Sequence, residues 1–278
     1  MRICVSADST CDIPKDLIQK HNIHLKPIAV TIGEEVRYDG IDITPEEVFN
    51  IVDTTNVLPK TSAVNSFEYT EYFNKLKQEY DAVIHLSLSF GVSSTGNNAR
   101  LAAMDLDNVY VIDTKSLSSG SGLLVLSCVD KVNEGKDVKT IVEELEQEAE
   151  KIQASFLVDT LKYLHKGGRC SSLALLGANL LKLKPRISLV DGKMQVTKKY
   201  RGKIEDALIK YFEDLIEEIK PNKKRVFITY SSPVEPTREI IKQRLIDMGF
   251  EEVLESMACA TISTHCGPKT MGVLYMGE

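Results

Sequence analysis

The sequence predicts an α/β protein in two parts: a parallel sheet flanked by helices over residues 1–152, then an α+β unit with a mixed sheet over residues 153–278. Three observations predict it. Short apolar, β-branched runs alternate with helical periodicity through the first half. The segments after strand ends are rich in small polar residues, as in Asp8-Ser9-Thr10, Ser89–Gly96 and Asp113–Gly122. Beyond Gln153 the order becomes strand, hairpin, helix, strand, helix, strand. Parallel strands joined by crossover helices place ligands beyond the strands' carboxyl ends, where such loops converge.

Taken in order, Arg2–Ala7 reads as the first strand, and Asp12 with Pro14 marks a helix start. Leu25–Gly33 is expected to be a second strand and Glu34–Gly40 a turn or hairpin. Thr44-Pro45-Glu46-Glu47 is a capping box, with Thr44 as cap, Pro45 at the first helical position and Glu47 reaching back. That helix is expected to end near Asp53. Thr54–Ser66 is polar, holds Pro59 and the hydroxyl pair Thr61-Ser62, and reads as loop. Asn65 or Ser66 caps the next helix, which runs to about Glu79.

The chain is organised around Asp81–Met104. Asp81–Leu88 reads as a buried strand, and Ala99, Leu101, Ala102 and Met104 are spaced like a helix face. Between them, Ser89, Gly91, Ser93, Ser94, Thr95 and Gly96 let the backbone turn sharply. A strand feeding a helix this way aims N–H groups and hydroxyls at one spot, which favours an anion. An ordinary capped turn reads the same, but the hydroxyls outnumber what one cap requires. Val109–Ile112 is the next strand, and a long helix follows to Asn133. Val138–Lys151 is amphipathic, with Ile141, Val142, Leu145 and Ala149 on one face.

In the second part Ser155–Leu157 is a strand, Leu161–His165 a short helical turn and Lys166–Ser171 a glycine-rich corner. Leu173–Leu183, with Leu161 and Leu164 before it, reads most simply as core, though the wall of an apolar tunnel would look the same. Arg186–Val190 and Met194–Tyr200 form a hairpin about Asp191-Gly192. Ile204–Ile219 is a helix, Arg225–Ser231 a strand and Pro236–Met248 a helix. The segments Val253–Met257, Ala260–Gly267 and Met271–Met276 complete the chain.

Composition excludes several classes. The apolar fraction is 43%, the charged fraction 27% and the net charge −6, with Lys and Arg dispersed, so nucleic acid is not an expected partner. No apolar run is long enough to span a bilayer, and MRICVSADS already reads as strand. A cytoplasmic protein without stable membrane insertion is expected. The six cysteines show no CxxC and the five histidines no HExxH, so neither a metal nor a cofactor is expected. A P-loop is missing too.

Two further constellations carry chemistry. Gly91-Val92-Ser93-Ser94-Thr95 departs from GxSxG because Gly96 comes one residue late, yet His265 lies downstream in the order a serine hydrolase would need. A hydrolase using Ser93 and His265 is therefore one alternative. Arg169, behind two glycines, reads either as a contact for an anion or a partner, or as a solvated turn residue.

Asp8-Ser9-Thr10, Pro59-Lys60-Thr61-Ser62, Gly91–Thr95, Lys166–Ser171, Lys184-Pro185 and Thr264-His265-Cys266-Gly267-Pro268, in that order and over essentially the whole length, resemble the DegV family. The resemblance implies two α/β domains holding one long-chain fatty acid, such as palmitate or stearate, between them. It implies a carrier rather than an enzyme: the fatty-acid-binding subunit of bacterial fatty acid kinase. A separate ATP-dependent kinase subunit makes the acyl phosphate used in phospholipid synthesis. Carried over by position, Thr61, Ser62 and Ser93 contact the carboxylate, with Thr95 in the same hydroxyl cluster and His265 near the head group. Arg169 falls in the family's GGR motif at the mouth, where engagement of the kinase is expected. The chain departs from the family at Ser94, usually glycine, and at Cys170 and Cys266. A lipid-responsive regulatory protein is the remaining alternative.

Overall fold

A computed structural model describes residues 1–169 and 183–278. The reading of Leu173–Leu183 as core or tunnel wall therefore lies, but for Leu183, outside the described residues, as does Cys170.

The first half opens with β1 (Ile3–Asp8), α1 (Lys15–Lys20), β2 (His24–Lys26), β3 (Ala29–Ile32) and β4 (Glu35–Tyr38). It continues through α2 (Pro45–Thr55), β5 (Lys60–Ser62), α3 (Ser66–Lys77), β6 (Ala82–Ser87) and α4 (Thr95–Ala103). Strand β7 (Val109–Asp113), α5 (Ser119–Asn133) and α6 (Val138–Ala149) close it. Strands β2, β1, β6 and β7 form, in that order, a four-stranded all-parallel sheet. Every residue of β6 is buried, as both faces of a helix-covered parallel sheet require. The capping box at Thr44 is present with both its hydrogen bonds, and Asn65, not Ser66, builds a second one on α3.

Two expectations are corrected. Leu25–Gly33 is not one strand: Lys26 ends β2, and β3 begins a separate three-stranded antiparallel sheet ordered β4-β3-β5. Pro27 lies at the break, where a residue without an N–H cannot continue the ladder. The supposed loop Thr54–Ser66 contains β5, whose Thr61 lies opposite Val30 of β3. Three polar residues carry no periodicity, so only this tertiary pairing makes them a strand.

The second half contains β8 (Ile152–Gln153), β9 (Ser155–Leu157), α7 (Lys162–Gly167), β10 (Leu183–Val190), β11 (Lys193–Arg201) and α8 (Ile204–Glu218). Then come β12 (Pro221–Tyr230), α9 (Thr237–Asp247), β13 (Glu252–Met257), α10 (Ala260–Cys266) and β14 (Met271–Gly277). Their seven-stranded mixed sheet runs β11-β10-β9-β14-β12-β13, with β8 also on β14. Leu208, Tyr211 and Leu215 of α8 and Ile241 and Leu245 of α9 pack on Val226, Ile228 and Val273.

Helix α5 joins the halves. It touches β1 and β6 of the first sheet and β12 and β14 of the second, and is buried on nearly every face. One core runs through it, from Val5, Ile84 and Leu86 to Phe227 and Leu274. A Cβ on Gly122 would stand 2.5 Å from the Cys11 carbonyl oxygen, so glycine lets the helix lie against the turn after β1.

Helix α10 belongs to the second half but starts on carboxylates of the first. Cys259 N donates to Asp12 Oδ1 at 2.9 Å, and Ala260 N donates to Asp39 Oδ1 at 3.0 Å. Acceptors at a helix start satisfy first-turn donors and oppose the positive dipole end. Ser118 Oγ donates to Asp12 Oδ2 and Ser9 Oγ to Asp39 Oδ2, tying both acids to the loops beyond the parallel sheet. Burial pushes the Asp12 carboxyl up to about 7; the hydrogen bonds from Ser118 and Cys259 pull against that rise and the Asp39 charge adds to it.

A folded-state value above the ordinary carboxylate range gives stability that is complete below about pH 4 and is lost as pH rises through 7. Relative to wild type, Asp12→Asn should therefore gain on the order of 3 kcal/mol between pH 4.5 and 8, read as the difference in thermal or urea unfolding. A pH-independent difference would contradict the assignment.

Candidate ligand-binding site

The parallel sheet reverses its winding between β1 and β6, since β2 lies outside one and β7 outside the other. The loops that leave the carboxyl ends of two such strands diverge and open a crevice. A cleft partly open to solvent lies there, its atom-free space of about 590 Å³ including some of that solvent. Thr10, Leu88, Val92, Ser93 and Thr95 line it from these loops, Leu117 from the loop after β7, and Thr61, Ser62 and Ala63 from the end of β5. From the second half come Phe156, Leu164, Arg169, Met194, Thr261, Ile262, His265 and Cys266. Thr61, Ser62, Ser93, Thr95, Arg169 and His265, the six residues singled out in the sequence, thus share one cleft.

A buried polar network holds the cleft floor. Asp8, at the end of β1, accepts from Ser87 Oγ at 2.6 Å and from Leu88 N at 2.9 Å through Oδ2. Its Oδ1 accepts from the Tyr69 hydroxyl and from His85 Nε2 at 3.3 Å. His85 Nδ1 in turn meets Ser6 Oγ at 2.9 Å. Burial alone would raise the Asp8 carboxyl, but hydrogen bonding and charge from His85, with Ser87 and Tyr69, outweigh it and hold Asp8 below its ordinary value. A fixed carboxylate thus pins the backbone where the loop after β6 begins.

The loop spends much of its hydrogen-bonding capacity on itself. Val92 N and Ser93 N donate to Ser89 O at 3.0 and 3.2 Å, and Thr95 N donates to Ser93 Oγ at 3.2 Å. The expectation of bare amides at this turn is corrected to that extent: Ser93 Oγ, also 2.9 Å from Thr95 Oγ1, covers the start of α4. Ser89 Oγ donates to Gly192 O at 2.6 Å, latching the loop to the β10–β11 hairpin. A Cβ on Gly96 would overlap the Phe90 ring, which explains a glycine at 96 rather than 95.

His265 projects from α10 and its Nε2 lies 2.8 Å from Thr61 Oγ1. Burial, then the Arg169 charge, lowers the imidazole to about 4, so it is neutral near pH 7. Nδ1 is buried without a partner among the described residues. A Cβ on Gly167 would overlap that nitrogen, whereas Gly168 takes φ +68° to end α7; the two glycines have different duties. Arg169 is exposed, with Nη1 donating to Gly167 O at 2.7 Å.

A Ser-His hydrolase triad needs the serine bonded to the histidine and the histidine oriented by an acid. Here Ser93 pairs with Thr95, and His265 pairs with Thr61 and meets no carboxylate among the described residues. A neutral imidazole, several hydroxyls and one arginine at the end of an apolar cleft are instead suited to holding a carboxylate. No group of three or more His, Cys, Asp or Glu among the described residues could hold a metal ion. No described helix is long and apolar enough to cross a membrane.

The sequence profile described as "Uncharacterised protein, DegV family" matches residues 2–278. This chain belongs to the DegV family. Protein DegV of Bacillus subtilis is 30% identical over 279 residues, 99% of each chain. Its crystal structure, described as a fatty acid binding protein, superposes with TM-score 0.88 over the full length of both chains at 30% identity. A DegV family protein of Thermus thermophilus, described for its fatty acid binding, gives TM-score 0.89 at 31% identity, again covering both chains fully. A Thermotoga maritima protein whose structure is said to reveal fatty acid binding function gives 0.85 at 26% identity, covering 99% of each chain.

Within this DegV-family fold, sequence reasoning missed Asp12, Asp39 and Thr261. Only Thr261 left a trace, four residues before His265 and so on the same helix face. His265 in the unliganded protein should titrate near pH 4 by imidazole NMR. Arg169→Ala should move that midpoint upward but leave it below the ordinary histidine value, because burial is the larger cause. A wild-type midpoint near 6.5 would contradict the geometry.

Proposed function

We propose that this chain binds a single long-chain fatty acid, palmitate or stearate in type, in the cleft between its two halves, which we read as domains meeting near residue 153. The carboxylate sits among Thr61, Ser62, Ser93, Thr95 and His265. Relatives near 30% identity that match over their whole length are described as fatty acid binding proteins. The observation that carries the reading is the pairing of apolar walls, Phe156, Leu88, Leu117 and Met194 among them, with a hydroxyl cluster and a neutral histidine at one place.

Energetics assigns the two parts different work. Burying about fifteen methylenes at roughly 0.8 kcal/mol each gives an upper value on the order of 12 kcal/mol. Ordering a flexible chain removes much of this. Hydroxyl donors replace the water lost by the carboxylate, so they set orientation. The carrier then presents the carboxylate to a separate ATP-dependent kinase subunit for acyl phosphate formation, with exposed Arg169 at the mouth engaging that subunit. No reaction is completed by this chain alone.

Native mass spectrometry of the purified protein should show a co-purified acid, identified after extraction. Ser93→Ala should weaken binding about tenfold, the loss of one or two charge-assisted hydrogen bonds. A fluorophosphonate should leave Ser93 unlabelled; labelling would establish a hydrolase instead. Arg169→Ala should keep its lipid and slow acyl phosphate formation when a kinase subunit is supplied. Bound lipid with no turnover by any such subunit would favour a lipid-responsive regulator.

A further inference from the structure

Two hydroxyls in the cleft wall have no partner among the described residues. Thr10 Oγ1 and Thr261 Oγ1 belong to residues only 1% and 6% exposed, both lining the cleft, and neither makes a hydrogen bond to any described residue. Their neighbours behave otherwise. Ser9 Oγ donates to Asp39, Ser263 Oγ to Ala258 O at 3.2 Å, and Thr264 Oγ1 to Ala260 O at 2.8 Å. Those hydroxyls are satisfied by the protein, while these two, buried in residues of the cleft wall, are not. A buried hydroxyl without a partner is costly, and valine would fill the same volume without that cost.

Position narrows what could meet them. Thr261 precedes His265 by one helical turn, on the same face and about 6 Å along the axis. Thr10 leaves β1 beside the loop that carries Ser93, because β1 and β6 are neighbours in the sheet. Both threonines therefore sit on or beside the elements that carry His265 and Ser93. An unsubstituted chain held at His265 would pass methylenes over them and leave both bare. A hydroxyl on one of its first few carbons, able to donate and accept, would pair with them.

We propose that the cleft prefers a long-chain acid hydroxylated near its carboxyl end, of the 3-hydroxy type, and that Thr10 and Thr261 read the substituent. The inference rests on the fatty-acid reading above and specifies its substrate class.

The test compares hexadecanoic, 3-hydroxyhexadecanoic and 16-hydroxyhexadecanoic acids by competition on delipidated protein. Wild type should bind the 3-hydroxy acid about tenfold more tightly than the unsubstituted one, with no such gain for the 16-hydroxy acid. In the Thr10→Val/Thr261→Val double variant the ratio should fall to about one while hexadecanoic acid binds more tightly, which also reports that the variant is folded. Equal affinities in wild type, as an ordered water at the threonines would give, overturn the inference and leave the fatty-acid reading intact. A preference that survives in the double variant, or one shared by the 16-hydroxy acid, overturns it too. Binding of none of the three acids overturns the fatty-acid reading and this inference with it.

Discussion

The structure turns on two buried carboxylates that one half of the chain lends to a helix of the other. Asp12 and Asp39 accept the first amides of α10 from 247 and 221 residues away. Each is anchored in turn by a serine of the first half. Two acids this close repel, and burial makes ionisation of Asp12 costly. The arrangement persists because backbone and hydroxyl donors saturate it. It seats α10 so that His265 meets Thr61, a contact spanning 204 residues. Without that seat the cleft would have a floor and no opposite wall.

The floor obeys similar logic with a different electrostatic outcome. Asp8 is as deeply buried as Asp12, yet its four donors hold it ionised, so a fixed charge pins Leu88 and orients the loop that carries Ser93. The loop then folds on its own serines and is latched to the Asp191-Gly192 hairpin. Its hydroxyls are thereby set in place before a ligand arrives, which reduces the entropy lost on binding. The apolar walls have no such precision and, for the fatty acid proposed above, need none, since burial of methylenes is non-directional.

What the sequence revealed was whatever local chemistry decides. The Thr44 capping box, the buried strand at Asp81–Leu88 and the Asp-Gly hairpin are specified by neighbours in the chain, and each formed near its expected place. Pro27 was a local signal too; it divides β2 from β3, yet the apolar run around it read as one strand. The strand at Lys60–Ser62 had no local signal, because only Val30 and its neighbours make three polar residues a strand. The hydroxyl clusters drew attention because they exceed what capping needs, and all six singled-out residues border one cleft. Asp12 and Asp39 stayed hidden because a lone acid before a helix or in a hairpin is ordinary. Their partners become visible only when the chain is folded.

A crystal structure of the delipidated protein reloaded with palmitate tests the central claim most directly. The carboxylate should lie within hydrogen-bond distance of Thr61, Ser93 and His265, with the alkyl chain running between the two sheets past Phe156 and Leu117. A carboxylate facing solvent at the far end of the chain, or palmitate lodged anywhere outside this cleft, would contradict it.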